Sequence, residues 1–148
     1  MTSFFPDVNV WLALSVSSHI HTAAAWEWLQ LVSVDDRLVF SRITQLGLLR
    51  LLTNEAVMGS QALSLGKAWQ TYDVWLSDPR VEFHPESRNL DASFRQVTEP
   101  FAGMKAPKIV GDCFLLASAK ESEATLVTFD KALSRQARNA GFPAIVPG

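Results

Sequence analysis

The sequence has little sulfur chemistry: Cys113 is its only cysteine in 148 residues. No intrachain disulfide can form, and a reducing compartment is expected. A long apolar run is also missing. The longest, Val8 to Val16, is broken by Asn9 and Ser15 and is too short to span a bilayer. The first residues carry no basic stretch ahead of a cleavage site, so the expectation is a cytoplasmic protein with no membrane partner. Strong net charge is absent too. A formal charge of -2 excludes general polyanion binding by the whole surface. Repeats, low-complexity tracts and internal linkers are not found, which points to one domain over residues 1–148.

What is there describes a folded chain. Hydrophobic residues make up 48% and charged residues 19%, enough apolar content for a real core. The charge is uneven. Residues 1–100 carry 7 Lys/Arg against 11 Asp/Glu, and residues 101–148 carry 6 against 4, so the C-terminal third is positive.

Strand-like and helix-like segments alternate along the chain. Ser3 to Pro6 reads as a strand, with Asp7 capping a helix over Val8–Leu14. A polar break at Ser17–His21 precedes a helix from Thr22 to Val32. The strand Leu38–Phe40 leads to a helix that Ser41 or Thr44 caps. Residues 53–60 read as a loop, and Ser60 begins an amphipathic helix with Leu65, Trp69, Tyr72 and Leu76 at helical spacing. Asp78-Pro79 stops it, and Val81–Phe83 reads as an edge strand. Asn89 caps a helix bearing Leu90, Phe94, Val97 and Phe101. Residues 102–111 look like loop, and Asp112 opens a helix over Cys113–Lys120. The strand Thr125–Phe129 ends in Asp130, a helix follows, Gly141 caps it, and Ala144–Val146 is a last strand. This alternation predicts an α/β protein: a parallel sheet of about five strands with helices on both faces.

Three aspartates stand where such a sheet places ligands. Asp7 and Asp130 end strands, and Asp112 sits in the first turn of the helix before the central strand. Brought within a few ångströms, three carboxylates repel and raise one another's pKa, a cost that a divalent cation removes. An all-carboxylate set suits a hard ion such as Mg²⁺ or Mn²⁺. Such an ion activates water and neutralises charge on a phosphodiester. Each aspartate taken alone is also an ordinary helix cap or solvated turn.

Four stretches together resemble the PIN domain, and most of all the VapC-type toxins of bacterial toxin–antitoxin pairs. They are Asp7-Val8-Asn9-Val10 after a short strand, Ser41-Arg42-Ile43-Thr44-Gln45-Leu46 after the second, Gly111-Asp112, and Ala124-Thr125-Leu126-Val127-Thr128-Phe129-Asp130. The resemblance covers Phe4 to the last strand. It implies a PIN-like three-layer sandwich and an endoribonuclease that cuts tRNA or ribosomal RNA with Mg²⁺ or Mn²⁺. It also implies a cognate antitoxin, and the apolar surplus of the helical segments 22–32 and 60–76 would serve homodimer packing or an antitoxin groove. By position, Asp7, Asp112 and Asp130 are the metal-binding carboxylates. Asn9 then orients Asp7, and Thr128 bonds a carboxylate or water; the plainer roles are turn residue and strand threonine. Arg42, Arg50, Lys108 and Lys131 are candidate phosphate contacts, or simply solvated surface.

The chain departs from this pattern once. The family places a glutamate in the helix after the second strand, and counting from Thr44 that position is Gly47. Gln45 is the nearest polar substitute; it can hold a water but supplies no charge. No acid lies between Asp36 and Glu55. The missing charge motivates an alternative, a degenerate PIN module that binds RNA or a protein without cutting. A phosphatase of the aspartyl-phosphate type fits less well, because Asn9 stands where its second aspartate belongs. His19 and His21 read as the approach to a helix rather than metal ligands. Cys113 falls among buried small residues. Trp11, Trp26, Trp28, Trp69 and Trp75 read as core or interface.

Overall fold

Strand β1 (Ser3–Pro6) lies at the centre of the molecule because its two apolar faces need cover on both sides. The computed structural model describes residues 1–148. Its sheet has five strands in the order β3-β2-β1-β4-β5, with β2 at Arg37–Phe40, β3 at Val81–Phe83, β4 at Thr125–Val127 and β5 at Ala144–Ile145. All four pairings are parallel. The expected α/β architecture and three layers are present.

Side chains alternate across the strands, and each layer of helices takes one set. Leu38, Phe40 and Val127 face the layer formed by α1 (Val8–Ser15), α2 (Thr22–Leu31), α3 (Arg42–Leu52) and α5 (Leu65–Leu76). Phe5, Val39 and Leu126 face α6 (Leu90–Thr98), α7 (Pro107–Glu121) and α8 (Lys131–Asn139). Trp11 centres the first layer: it is fully buried and stacks on Phe40 with ring centroids 3.9 Å apart. No helix is long and apolar enough to cross a membrane.

Several element boundaries differ from the sequence expectation. The segment 53–60 is not all loop: it holds a one-turn helix, α4 (Glu55–Met58), capped by Asn54. Helix α5 begins at Leu65 on a Ser64 cap, because Ser60 is taken into the 3-10 turn Gly59–Gln61. Phe101 belongs to a 3-10 turn, Glu99–Phe101, beyond the end of α6. The largest difference is α7. Pro107, read as loop, occupies the first turn of a helix of 15 residues, where its fixed φ and missing N–H cost nothing. Asp112 therefore lies in the second turn of α7, not the first, with Gly111 inside the helix and exposed.

Topology fixes where the aspartates go. The chain leaves β1 toward β2 and β3, then returns across to β4 on the other side. The sheet's order reverses between β1 and β4, and the crevice at their C-terminal ends is the usual ligand position. Pro6 pairs with Val127, and the Asp7 N–H donates to the Val127 carbonyl at 2.8 Å. Asp7 and Thr128 thus emerge side by side. Helix α7 runs back antiparallel to β4, which stands its N-terminal half at this same edge.

Candidate active site

The crevice is held by one hydroxyl. Thr128 is fully buried, and its Oγ1 makes three hydrogen bonds. It accepts the Asp130 backbone N–H at 3.0 Å and the Asn9 amide at 3.3 Å, and it donates to Asp7 Oδ2 at 2.8 Å. A hydroxyl has two acceptor positions and one proton. Both acceptor positions are filled by N–H donors, so the proton has to point at Asp7. The other Asp7 oxygen accepts the Val8 N–H at 2.7 Å, so Asp7 caps α1 as well. Asp130 caps α8 by accepting the Leu133 N–H on Oδ1 at 3.0 Å, leaving Oδ2 free for the crevice.

Asn9 does not orient Asp7 directly, contrary to the sequence expectation. Its amide nitrogen donates to Thr128 Oγ1, and its amide oxygen accepts the Phe129 N–H at 3.3 Å. The reason is geometric: Asn9 is the second residue of α1, and its side chain reaches the segment after β4 rather than Asp7. It pins the strand end, and Thr128 passes the constraint on.

The electrostatics follow from burial and crowding. Withdrawal from water is the main cause that raises the Asp7 pKa; Asp130 and Asp112 add to it, and the Thr128 and Val8 bonds oppose it. Asp112 is raised by burial first and then by Asp130. Asp7 therefore feels both of the other acids, and Asp112 feels Asp130. None has a Lys, Arg or His partner, since every ion pair of the protein lies elsewhere. They do not, however, close within a few ångströms into a ligand set: no three His, Cys, Asp or Glu side chains converge tightly enough to hold an ion alone. The donor chemistry fits a hard cation that keeps some of its water. It is three unpaired carboxylates around an open crevice, one of them with a fixed orientation.

A raised carboxyl pKa has a definite sign in stability. The folded state then binds the proton more tightly than the unfolded chain, so stability falls as pH rises from the ordinary carboxyl range through the raised value. Asp36, Asp78 and Glu121 are shifted down by hydrogen bonds and run the other way, so the whole-protein profile mixes both signs. A difference isolates one group. In metal-free buffer Asp112→Asn is expected to melt higher than the wild type at neutral pH, and the gap should close toward pH ~4 as Asp112 takes up its proton. A gap independent of pH in thermal melts would show that Asp112 is not under strain.

The position of the missing glutamate is explained by packing. A Cβ built on Gly47 meets Val8 Cγ2 at 2.6 Å, so α3 presses on α1 beside Asp7 with no room for any side chain. Gln45 is buried but turned away. Its Oε1 accepts from Arg42 Nη1 in the same helix, and it lies close enough to the Tyr72 hydroxyl of α5 to oppose the rise that burial gives the Tyr72 pKa. It touches none of the three acids.

The basic residues divide. Lys131 directly follows Asp130, and Lys108 precedes Asp112 by one helical turn; both are exposed. Arg42 starts α3 with its guanidinium 4.7 Å from the centre of the Phe83 ring. Arg50 lies eight residues further along α3, about 12 Å away by helical rise, and is carried off from the crevice. The tryptophans split similarly: Trp11 and Trp28 are core, while Trp26 and Trp69 are 44% and 42% exposed on α2 and α5. The His19–His21 segment, expected to be a plain helix approach, is placed beside Asp130; its ring contact with Phe129 joins residues far apart in sequence and left no local signal.

The PIN domain family profile matches residues 4–139. The chain is 37% identical over 133 residues to Ribonuclease VapC41 of Mycobacterium tuberculosis, covering 87% of this chain and 90% of that one. Among solved structures it resembles VapBC2 of Rickettsia felis bound to a promoter DNA fragment, with a TM-score of 0.73 at 15% identity, over 99% of this chain and 100% of that one. It also resembles VapC20 of Mycobacterium tuberculosis, a Sarcin-Ricin loop cleaving toxin, with a TM-score of 0.66 at 18% identity, over 97% and 99%.

Proposed function

The chain belongs to the PIN domain family, and from that membership we propose that it is the ribonuclease toxin of a toxin–antitoxin pair, using Mg²⁺ or Mn²⁺ to cut tRNA or ribosomal RNA. The observation that carries the reading is the crevice of Asp7, Asp112 and Asp130, three acids without a cation partner at the switch point of a parallel sheet. Asp7, Asp112 and Asp130 would hold the metal. When bound, the ion supplies neutralisation of phosphate charge and activation of water for attack on the phosphodiester.

The chain's own residues do the positioning. Thr128 fixes the Asp7 carboxylate, and Asn9 fixes Thr128. Lys108 and Lys131 flank the crevice and offset the repulsion between the acids and the RNA backbone. Leu65, Trp69 and Val74 on α5, with Trp26 on α2, leave an apolar surface for the antitoxin or a second copy.

The test is cleavage of RNA by the wild-type protein with Mg²⁺ or Mn²⁺ and with chelator. Loss of cleavage in chelator, restored by the ion, is expected; cleavage unaffected by chelator would rule out the metal reading. Thr128→Val keeps the shape but removes the proton aimed at Asp7. It should lower metal affinity or kcat by about 10–100-fold, the usual cost of losing a group that orients a metal ligand. Thr128→Ser should retain most activity, because the hydroxyl remains.

The acids' open spacing and the absent fourth carboxylate favour a second reading, an RNA-binding module that does not cut. Titration calorimetry with Mn²⁺ separates the two. No heat at millimolar metal, with RNA binding intact, would select the non-cutting module.

A further inference from the structure

Beside Asp130 opens a cleft of about 570 Å³ to which the acid chemistry assigns nothing. Its floor is a pair of parallel rings: the His21 imidazole lies over Phe129, with centroids 4.4 Å apart and planes 12° from parallel. Phe129 directly precedes Asp130, and its N–H is held by Asn9. The lower ring is therefore fixed by the same Asn9 tie that holds Thr128. The upper ring, His21, is exposed. His19 adjoins it and accepts the His21 backbone N–H on Nδ1 at 3.0 Å, so a neutral His19 carries its ring proton on Nε2, free to donate. Exposed Ile20 and Val57 form apolar walls, and Asn9 and Asp130 make the polar end that joins the cleft to the crevice.

These features match one ligand chemistry. A flat exposed ring takes an unpaired base by stacking, a ring N–H serves the base edge, and apolar walls cover its faces. The cleft begins at Asp130, so its occupant is the nucleotide adjoining the phosphate that the acids act on. We infer, on the ribonuclease reading above, that the cleft seats the unpaired base next to the scissile phosphate, stacked on His21, and that His21 sets which RNA sequence is cut. A docked protein segment is the rival occupant. It is disfavoured because the cleft's polar end belongs to the crevice itself and its floor is a planar stack.

The experiment uses wild type, His21→Ala and His21→Phe. With Mg²⁺, His21→Ala is expected to raise KM for short single-stranded RNA about tenfold and to change which positions are cut, while kcat at saturation and the melting temperature hold. His21→Phe, which keeps a flat ring, should restore KM. Equilibrium binding of the same labelled RNA in EDTA needs no cleavage: His21→Ala should bind about tenfold more weakly. Removing one base from the RNA should cost the wild type a similar factor at a single position and cost His21→Ala nothing more there. Equal KM, cut positions and binding in wild type and His21→Ala would overturn the inference, as would wild type that neither binds nor cuts RNA. Weaker RNA binding by His21→Ala from a wild type that does not cut would sustain the base cleft and refute the ribonuclease reading instead. His21→Ala that loses affinity only for an antitoxin peptide, with RNA unchanged, would assign the cleft to protein.

Discussion

Asp130→Asn is expected to slow RNA cleavage by about a hundredfold or more while leaving the metal-free protein at least as stable as the wild type. The two halves have separate causes. A carboxylate at a divalent ion contributes several kcal/mol of charge stabilisation, and ~3 kcal/mol corresponds to about two powers of ten in rate. Stability holds because Asp130 Oδ1 serves only as the cap for Leu133 N–H, and asparagine caps a helix as well as aspartate does. Losing the charge also relieves Asp7 and Asp112, both of which Asp130 pushes upward. The melting temperature in chelator should therefore stay level or rise, and the rise that Mg²⁺ gives the wild type should shrink.

Asp7→Asn differs in a telling way. Both Asp7 oxygens accept hydrogen bonds, one from Val8 N–H and one from Thr128, and an amide has a single oxygen. One donor is left unpaired, at a cost of about 1–3 kcal/mol against the relief of charge. Asp7→Asn should thus lose both activity and stability. Cleavage rates and chelator melts for the two variants, side by side, check this. Matching melting shifts would mean that the Thr128 tie does not set the geometry of Asp7.

The second large effect concerns Gly47. Gly47→Glu restores the family's fourth acid by sequence and is expected to fail as a repair. Its Cβ would lie 2.6 Å from Val8 Cγ2 and 3.3 Å from Cγ1. Valine in a helix has one strongly preferred rotamer, so Val8 cannot swing aside, and α3 must move off α1. Overpacking of this kind costs about 1–3 kcal/mol, more than the roughly 1 kcal/mol that replacing a helical glycine returns. Gly47→Ala should be destabilising for the same reason, against its helix propensity. Val8→Ala combined with Gly47→Ala should recover most of the loss. Denaturant melts of the three variants decide the matter; a stabilised Gly47→Ala would show that α1 and α3 are not in close contact.

Much of the sheet was legible because the signals are local. Apolar runs such as Leu38–Phe40 and Leu126–Val127 end in turn or cap residues, and strands alternating with helices leave few topologies. Asp7 was legible as a position for the same reason, a strand end that also caps a helix; Asp130 was expected to end its strand, but β4 stops at Val127 and Asp130 follows three residues later as the cap of α8. Asp112 was expected in the first turn of its helix and lies in the second. Gly103, Pro107 and Gly111 together read as loop, although proline in a first turn and an exposed glycine are both compatible with a helix. Asn9's true partners, the expulsion of a side chain at Gly47, and the His21–Phe129 stack depend on contacts across more than thirty residues of sequence. Periodicity cannot report such contacts. Gln45 shows the same limit: its polarity suggested a place at the acids, and only the folded structure reveals that Arg42 holds it beside Tyr72.

The central position of β1 has a consequence for the newborn chain. Phe4–Pro6 is synthesised well before Thr125–Val127, so β2 can pair with one edge of it early while its other edge waits for β4. The threonine that aims Asp7 lies 121 residues downstream of it. Closing so long a loop comes late in folding. A polypeptide still short of that point carries Asp7 beside an unpaired strand edge and has no Asp130 at all. On the ribonuclease reading proposed above, the three acids are thus incomplete and Asp7 unaimed until the chain has been made as far as the start of α8.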